Sequence, residues 1–234
     1  MTGIAIVSAT VASYAAGWFL GNPLLIPAFN TLAGFPFMVA ALSRGDLRLA
    51  IARMLIWAAA LAVCATLLSY SQPWLTDRLF LRGAAYRTEM FAWVMSGRGV
   101  ESDPARFVPQ QLRHTAIFAA LALTTGGVLA LALGALLMNY MGHYVGTLAA
   151  SSPHPLPVMV LAWHPWAVIR IVSFVTIGVV LAAPLLSMIG RFRVDWRDGR
   201  RLLAWAGAGL LADVLLKWLL APAWQRTLLR VVGW

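Results

Sequence analysis

The stretch GIAIVSATVASYAAGWFLGNPLLIPAFNTLAGFPFMVAAL, residues 3–42, contains no Asp, Glu, Lys, Arg or His. An α-helix rises 1.5 Å per residue, so about 20 apolar residues cross a hydrocarbon core about 30 Å thick. The stretch is therefore long enough for two crossings, with Gly21-Asn22-Pro23 as the natural reversal because Gly and Asn-Pro favour turns. It predicts helices near 3–20 and 24–42. The second carries Pro27, Asn30, Gly34 and Pro36, a pattern that also admits a kinked or re-entrant segment.

Outward from this stretch the same grade of sequence returns at 54–74, 115–142, 171–190 and 202–221, separated by charged clusters. Hydrophobic residues are 61% of the 234 and charged residues 11%, against about 45–50% and about 25% in soluble domains. A soluble core has no use for that much apolar surface. The expectation is an all-α, polytopic membrane bundle of about six transmembrane helices, forming a single domain over 1–234. The apolar start lacks the positive n-region of a secretory signal, so the first helix is expected to be retained. The lone cysteine, Cys64, lies in an apolar stretch and excludes an intrachain disulfide.

The net charge of +10 comes from Arg spread along the loops, all but Lys217 of the basic residues being Arg. This distribution excludes a compact nucleic-acid-binding face and points to anionic lipid headgroups and membrane orientation instead. The Arg, Ala, Leu and Gly richness suggests a GC-rich bacterial genome, hence a bacterial inner membrane. The polar segment 74–113 and the basic turn 191–201 hold six and five Arg. With six crossings both would lie on one side, and their Arg excess makes that side cytoplasmic, with both termini outside. Within 74–113, Leu79, Tyr86, Met90 and Trp93 recur at helical spacing, which predicts an amphipathic helix lying on the membrane surface. A second interfacial helix is expected after Pro222, with Trp224, Leu228 and Val231 opposite Arg226 and Arg230.

From Ala122, steps of four meet Gly126, Ala130, Gly134, Met138, Gly142 and Gly146. Small residues at this spacing let helix backbones approach closely, so the spacing predicts one long helix from about 115 into the 140s packed tightly on a neighbour.

The costly polar residues gather at the ends of the last three helices: Asn139, His143, His164, Arg170, Asp213 and Lys217, with His154 in the turn between two of them. Asp213, about eleven residues into its helix, would lie near 16 Å deep by the helical rise, where an unpaired charge costs at least about 2.5–3.5 kcal/mol. Lys217 follows at i+4, the favourable order for an ion pair, and Arg170 is a second candidate partner. The cluster reads either as a ligand, proton or ion pocket or as a structural ion pair between helices. Glu89 and His114 fall on the opposite side in this topology. No haem or metal spacing is present, and no Gly-x-Ser-x-Gly elbow, His-Glu-x-x-His helix or nucleotide loop occurs. The sequence favours a non-catalytic transport-related or complex-forming membrane subunit without cofactor, in contact with lipid and with another membrane-protein subunit as a candidate partner. The rivals are a small intramembrane enzyme and a haem- or quinone-associated subunit using the same polar cluster.

Overall fold

The computed structural model describes all 234 residues and is helical throughout, with no strand. Its helices are α1 (Thr2–Leu20), α2 (Leu25–Leu42), α3 (Leu47–Ser71), α4 (Pro73–Leu79), α5 (Gly83–Ser96), α6 (Pro104–Thr125), α7 (Val128–Ala150), α8 (Pro155–Ala162), α9 (Pro165–Gly190) and α10 (Trp196–Val232). A single 3-10 turn, Val100–Ser102, joins α5 to α6. Six of the helices, α1, α2, α3, α7, α9 and α10, are long and apolar enough to cross a membrane. The chain is a helical membrane bundle. α2 runs unbroken through Pro36, so residues 25–42 form a full-length helix rather than a re-entrant one.

Contacts between named residues fix the helix directions. α2 returns against α1 through Ser13 and Asn30, and α3 returns against α2 through Trp57 on the Asn30 carbonyl and Arg53 on the Phe37 carbonyl. α3 and α7 run parallel: positions 65, 66 and 69 of α3 meet Gly142 and Gly146 of α7. α6 must therefore come back, and it does. Gly126 and Gly127, both at positive φ (58° and 89°), close a tight hairpin in which Phe118 faces Gly134. α9 runs alongside α6, with Leu186 at Gly126, and α10 returns from the same end as α3, with Arg48 on Asp198.

Two expectations fall here. The helix anticipated from 115 into the 140s is a hairpin of two helices, because consecutive left-handed glycines reverse the chain where the ladder was read straight through. The count between Gly97 and Gly199 is consequently odd, since α6, α7 and α9 each traverse the bundle. The polar segment 74–103 and the basic turn 191–195 lie at opposite ends, as do the two termini. The Arg-rich loops thus lose the shared side on which their orientation was argued.

Other boundaries shift for plainer reasons. α10 continues through Pro222 as one helix, because both halves are packed: Ala206 belongs to a small core with Phe118 and Ile177, and Leu228 and Val232 sit in a second core with Trp93, Tyr144 and Trp166. α5 does not lie flat on a surface. It buries Met90, Trp93 and Val94 against the C-terminal half of α7, while Leu79 belongs to the separate α4.

Candidate functional site

α6 is the only bundle-length helix that is not apolar enough to count as a span, and the reason is one polar stripe. Gln110, Gln111, His114 and Phe118 share a face, and that face borders a cleft of about 570 Å³. α5 supplies Ala85, Tyr86 and Glu89, and Arg82 joins them from the left-handed cap at its start. α9 supplies Arg170 and Ile171, then Phe174, Val175 and Gly178 deeper in. α7 forms the long apolar wall from Ala130 to Met141, and Met54, Trp57 and Ala58 of α3 close the floor. The polar side chains thus collect at the end holding α5, and the opposite half is hydrocarbon. A cleft with a polar mouth and an apolar floor has the polarity of a lipid molecule.

At the mouth, Asp213 is fully buried, so its charge demands partners. Arg170 donates from Nε to Oδ2 at 2.8 Å and from Nη2 to Oδ1 at 2.9 Å, and the Gln111 amide also donates to Oδ2. This planar two-bond grip leaves Asp213 no need of a second cation. The anticipated Asp213 and Lys217 pair is not made. Lys217, 4% exposed, instead donates to Glu101 Oε1 at 2.8 Å and stands 4.6 Å over the Phe107 ring. Glu101, 16% exposed in the 3-10 turn between α5 and α6, has Lys217 as its ion-pair partner. Burial pushes the Glu101 carboxyl up, but the nearby Lys217 and Arg170 charges more than offset this and hold it below the ordinary glutamate range. Burial also pushes the Tyr86 hydroxyl up, so it stays a donor at neutral pH.

The remaining sequence candidates fall into separate assemblies. Asn139 donates to Asn30 Oδ1 at 3.0 Å and accepts from the Tyr14 hydroxyl, while Asn30 donates to Ser13 Oγ at 2.7 Å. That chain pins α1, α2 and α7 together. His143 Nδ1 lies 3.1 Å from Ser69 Oγ and its Nε2 lies 2.8 Å from Asp77 Oδ1, Asp77 being held in turn by Arg87 at 2.8 Å. A carboxylate only accepts, so Nε2 carries a proton and, in the neutral ring, Nδ1 accepts from Ser69. Ser, His and Asp in line suggest a nucleophile, but Ser69 and His143 are fully buried and neither borders the cleft. The line works as a polar clamp on α3, α4 and α7. His164 stacks on Trp166 with ring centres 4.7 Å apart and meets Trp93 edge-on at 5.3 Å, a position inside the second core rather than at a water interface. His154 is exposed in its turn.

Of the packing candidates, Gly142 and Gly146 press on the α3 backbone, and Gly134 borders the cleft beside Phe118. Ala130 is buried where α7 leaves the hairpin, and Gly126 is the hairpin itself. Glu101, Gln111, Arg82 and Tyr86 were missed as site residues. The only sequence signal for them was the i, i+4, i+7 stripe of Arg82, Tyr86 and Glu89. Glu89 and His114, assigned to the opposite side, line the same cleft as Arg170.

No group of three or more His, Cys, Asp or Glu side chains is placed to hold a metal ion. Comparison with family models, with curated proteins and with solved structures returns no match. What the site can do chemically follows from its shape and charges: it can hold an elongated molecule, polar at one end, with donors at that end.

Proposed function

We propose that the chain is a non-catalytic, transport-related membrane protein that holds one amphipathic lipid in the cleft between α5, α6, α7 and α9. The observation that carries this reading is the polarity gradient along the cleft, from Arg82, Glu89, Gln110 and Arg170 at one end to Trp57, Leu131, Phe174 and Val175 at the other. An ion or a small polar solute would leave the floor without a function, and burying an acyl chain there contributes about 0.8 kcal/mol per methylene. The composition favours a bacterial inner membrane, and the five Arg of 191–201 supply contacts for anionic headgroups outside the cleft.

The test is lipid analysis of the protein purified in mild detergent. Native mass spectrometry should show one tightly retained lipid per chain. Gly134→Phe fills the cleft wall, where a Cβ meets nothing closer than Phe118 at 3.8 Å, and should lower that occupancy at least fivefold while the protein stays monodisperse. Equal retention by Gly134→Phe, or no retained lipid in the native protein, overturns the reading.

A further inference from the structure

The charges around the cleft mouth divide into two kinds. Arg170 and Lys217 are each committed to a carboxylate, the buried Asp213 and the partly buried Glu101. Arg82 and Glu89 have no ion-pair partner anywhere in the chain, yet both line the cleft. Arg82 caps the start of α5 in a left-handed conformation (φ 57°), and Glu89 lies on α5 two turns further along the chain. Between them is Tyr86, whose ring stacks on Tyr140 with centres 5.6 Å apart. The mouth therefore offers one free cation at the start of α5 and one free anion on it, with the Tyr86 phenol between them donating to Met141 Sδ at 3.8 Å.

Deeper, Arg170 presents a different kind of contact. A guanidinium has five N–H groups, and the grip on Asp213 uses only one edge. The other edge belongs to a side chain 28% exposed that lines the cleft. With its charge balanced by Asp213, that edge suits a neutral acceptor such as an ester carbonyl better than a second carboxylate.

Resting on the cleft reading above, we infer that the bound lipid is a zwitterionic glycerophospholipid with a primary ammonium headgroup. Its phosphate would face Arg82, its ammonium Glu89, its ester carbonyls the free edge of Arg170, and its acyl chains the apolar floor. An anionic headgroup would satisfy Arg82 but set a negative charge against Glu89, and like charges at close range oppose binding. Selectivity thus lives in Glu89, and retention lives in the floor.

The experiment separates the two. Purified protein is equilibrated with mixed micelles holding equal amounts of phosphatidylethanolamine and phosphatidylglycerol of matched chains, and bound lipid is quantified by native mass spectrometry. The native chain should carry phosphatidylethanolamine over phosphatidylglycerol by about fivefold or more. Glu89→Gln should bring that ratio to one or below without lowering total bound lipid. Arg82→Gln should lower binding of both lipids. Glu89 and Arg82 are exposed and unpaired, so neither change threatens folding. Bound lipid with no preference, or a preference that Glu89→Gln leaves unchanged, overturns the headgroup assignment while the cleft reading stands. No lipid bound by any form overturns both.

Discussion

Replacing Gly146 by Ala probes the seam where the α7 and α3 backbones meet. A Cβ at 146 would collide with the Thr66 carbonyl oxygen and stand 2.8 Å from both Ser69 Cβ and Tyr70 N. Two of these obstacles are backbone atoms of α3, which have no rotamer to escape into. Restoring a normal contact of about 3.5 Å needs α3 to move out by roughly 0.7 Å for the Ser69 and Tyr70 atoms, and further for the Thr66 oxygen. One turn earlier, a Cβ at Gly142 would stand 2.5 Å from Ala65 Cβ and 3.1 Å from Thr66 N, so the seam leaves no slack to absorb the shift. Overpacking a close-packed site costs about 1–3 kcal/mol, and a displaced helix backbone belongs at the upper end. For a chain of this size, about 3 kcal/mol corresponds to a fall in Tm of roughly 6–12 °C.

The matched control is Gly134→Ala on the same helix, where the new Cβ meets only Phe118 at an ordinary 3.8 Å. That change should stay within about 0.5 kcal/mol, or about 2 °C in Tm. The assay is thermal unfolding in mild detergent followed by size-exclusion fluorescence. Gly146→Ala melting within 2 °C of the native protein would refute the claim that the α3 and α7 backbones are in contact.

Reporter fusions after Gly97 and at Trp234 should report one side of the membrane and a fusion after Gly199 the other; Gly97 and Gly199 on one side with Trp234 opposite would mean that α6 does not traverse the bundle. Lys217→Met should destabilise by about 1–3 kcal/mol, because it takes the partner from the partly buried Glu101 carboxylate. Glu101→Gln on that background should recover part of the loss, and Asp213→Asn should not, as read by detergent melting. Because the Glu101 carboxyl lies below its unfolded value of about 4.3, its stabilising contribution is full above that pH and is lost as pH falls through the lower folded value. Glu101→Gln should therefore flatten the stability loss below about pH 4.3, and an unchanged acid limb would count against the ion pair.

Legibility in the sequence tracked a single quantity, the free energy of placing each segment in hydrocarbon. Where a helix is apolar along nearly its whole length, as α1, α2 and α9 are, that length alone announced it. The residues of the polar mouth were half visible for the same reason: Asp213 and Arg170 stood out because they interrupt apolar sequence, whereas Glu101 and Gln111 sit in polar sequence and gave no contrast. Partner choice was not legible at all. Lys217 follows Asp213 at i+4, but nearness along a helix cannot reveal that Arg170 offers the same carboxylate two parallel hydrogen bonds from the neighbouring helix.

α6 ties these failures to the function. Its N-terminal half carries Gln110, Gln111, Arg113 and His114, which removes it from any hydropathy count. Three of these four line the cleft, so the polarity that hid the helix is the polarity that makes the site. Arg113 is exposed, and because helix side chains lean toward their own N-terminus it is carried back toward the end holding α5 and the cleft mouth. A helix in the bilayer tolerates such residues only if protein or a wet cavity receives them. The same constraint that makes α6 improbable as a plain span therefore requires a cleft beside it, and Asp213, reached by Gln111 from α6 and by Arg170 from α9, fixes the width of that cleft at its polar end.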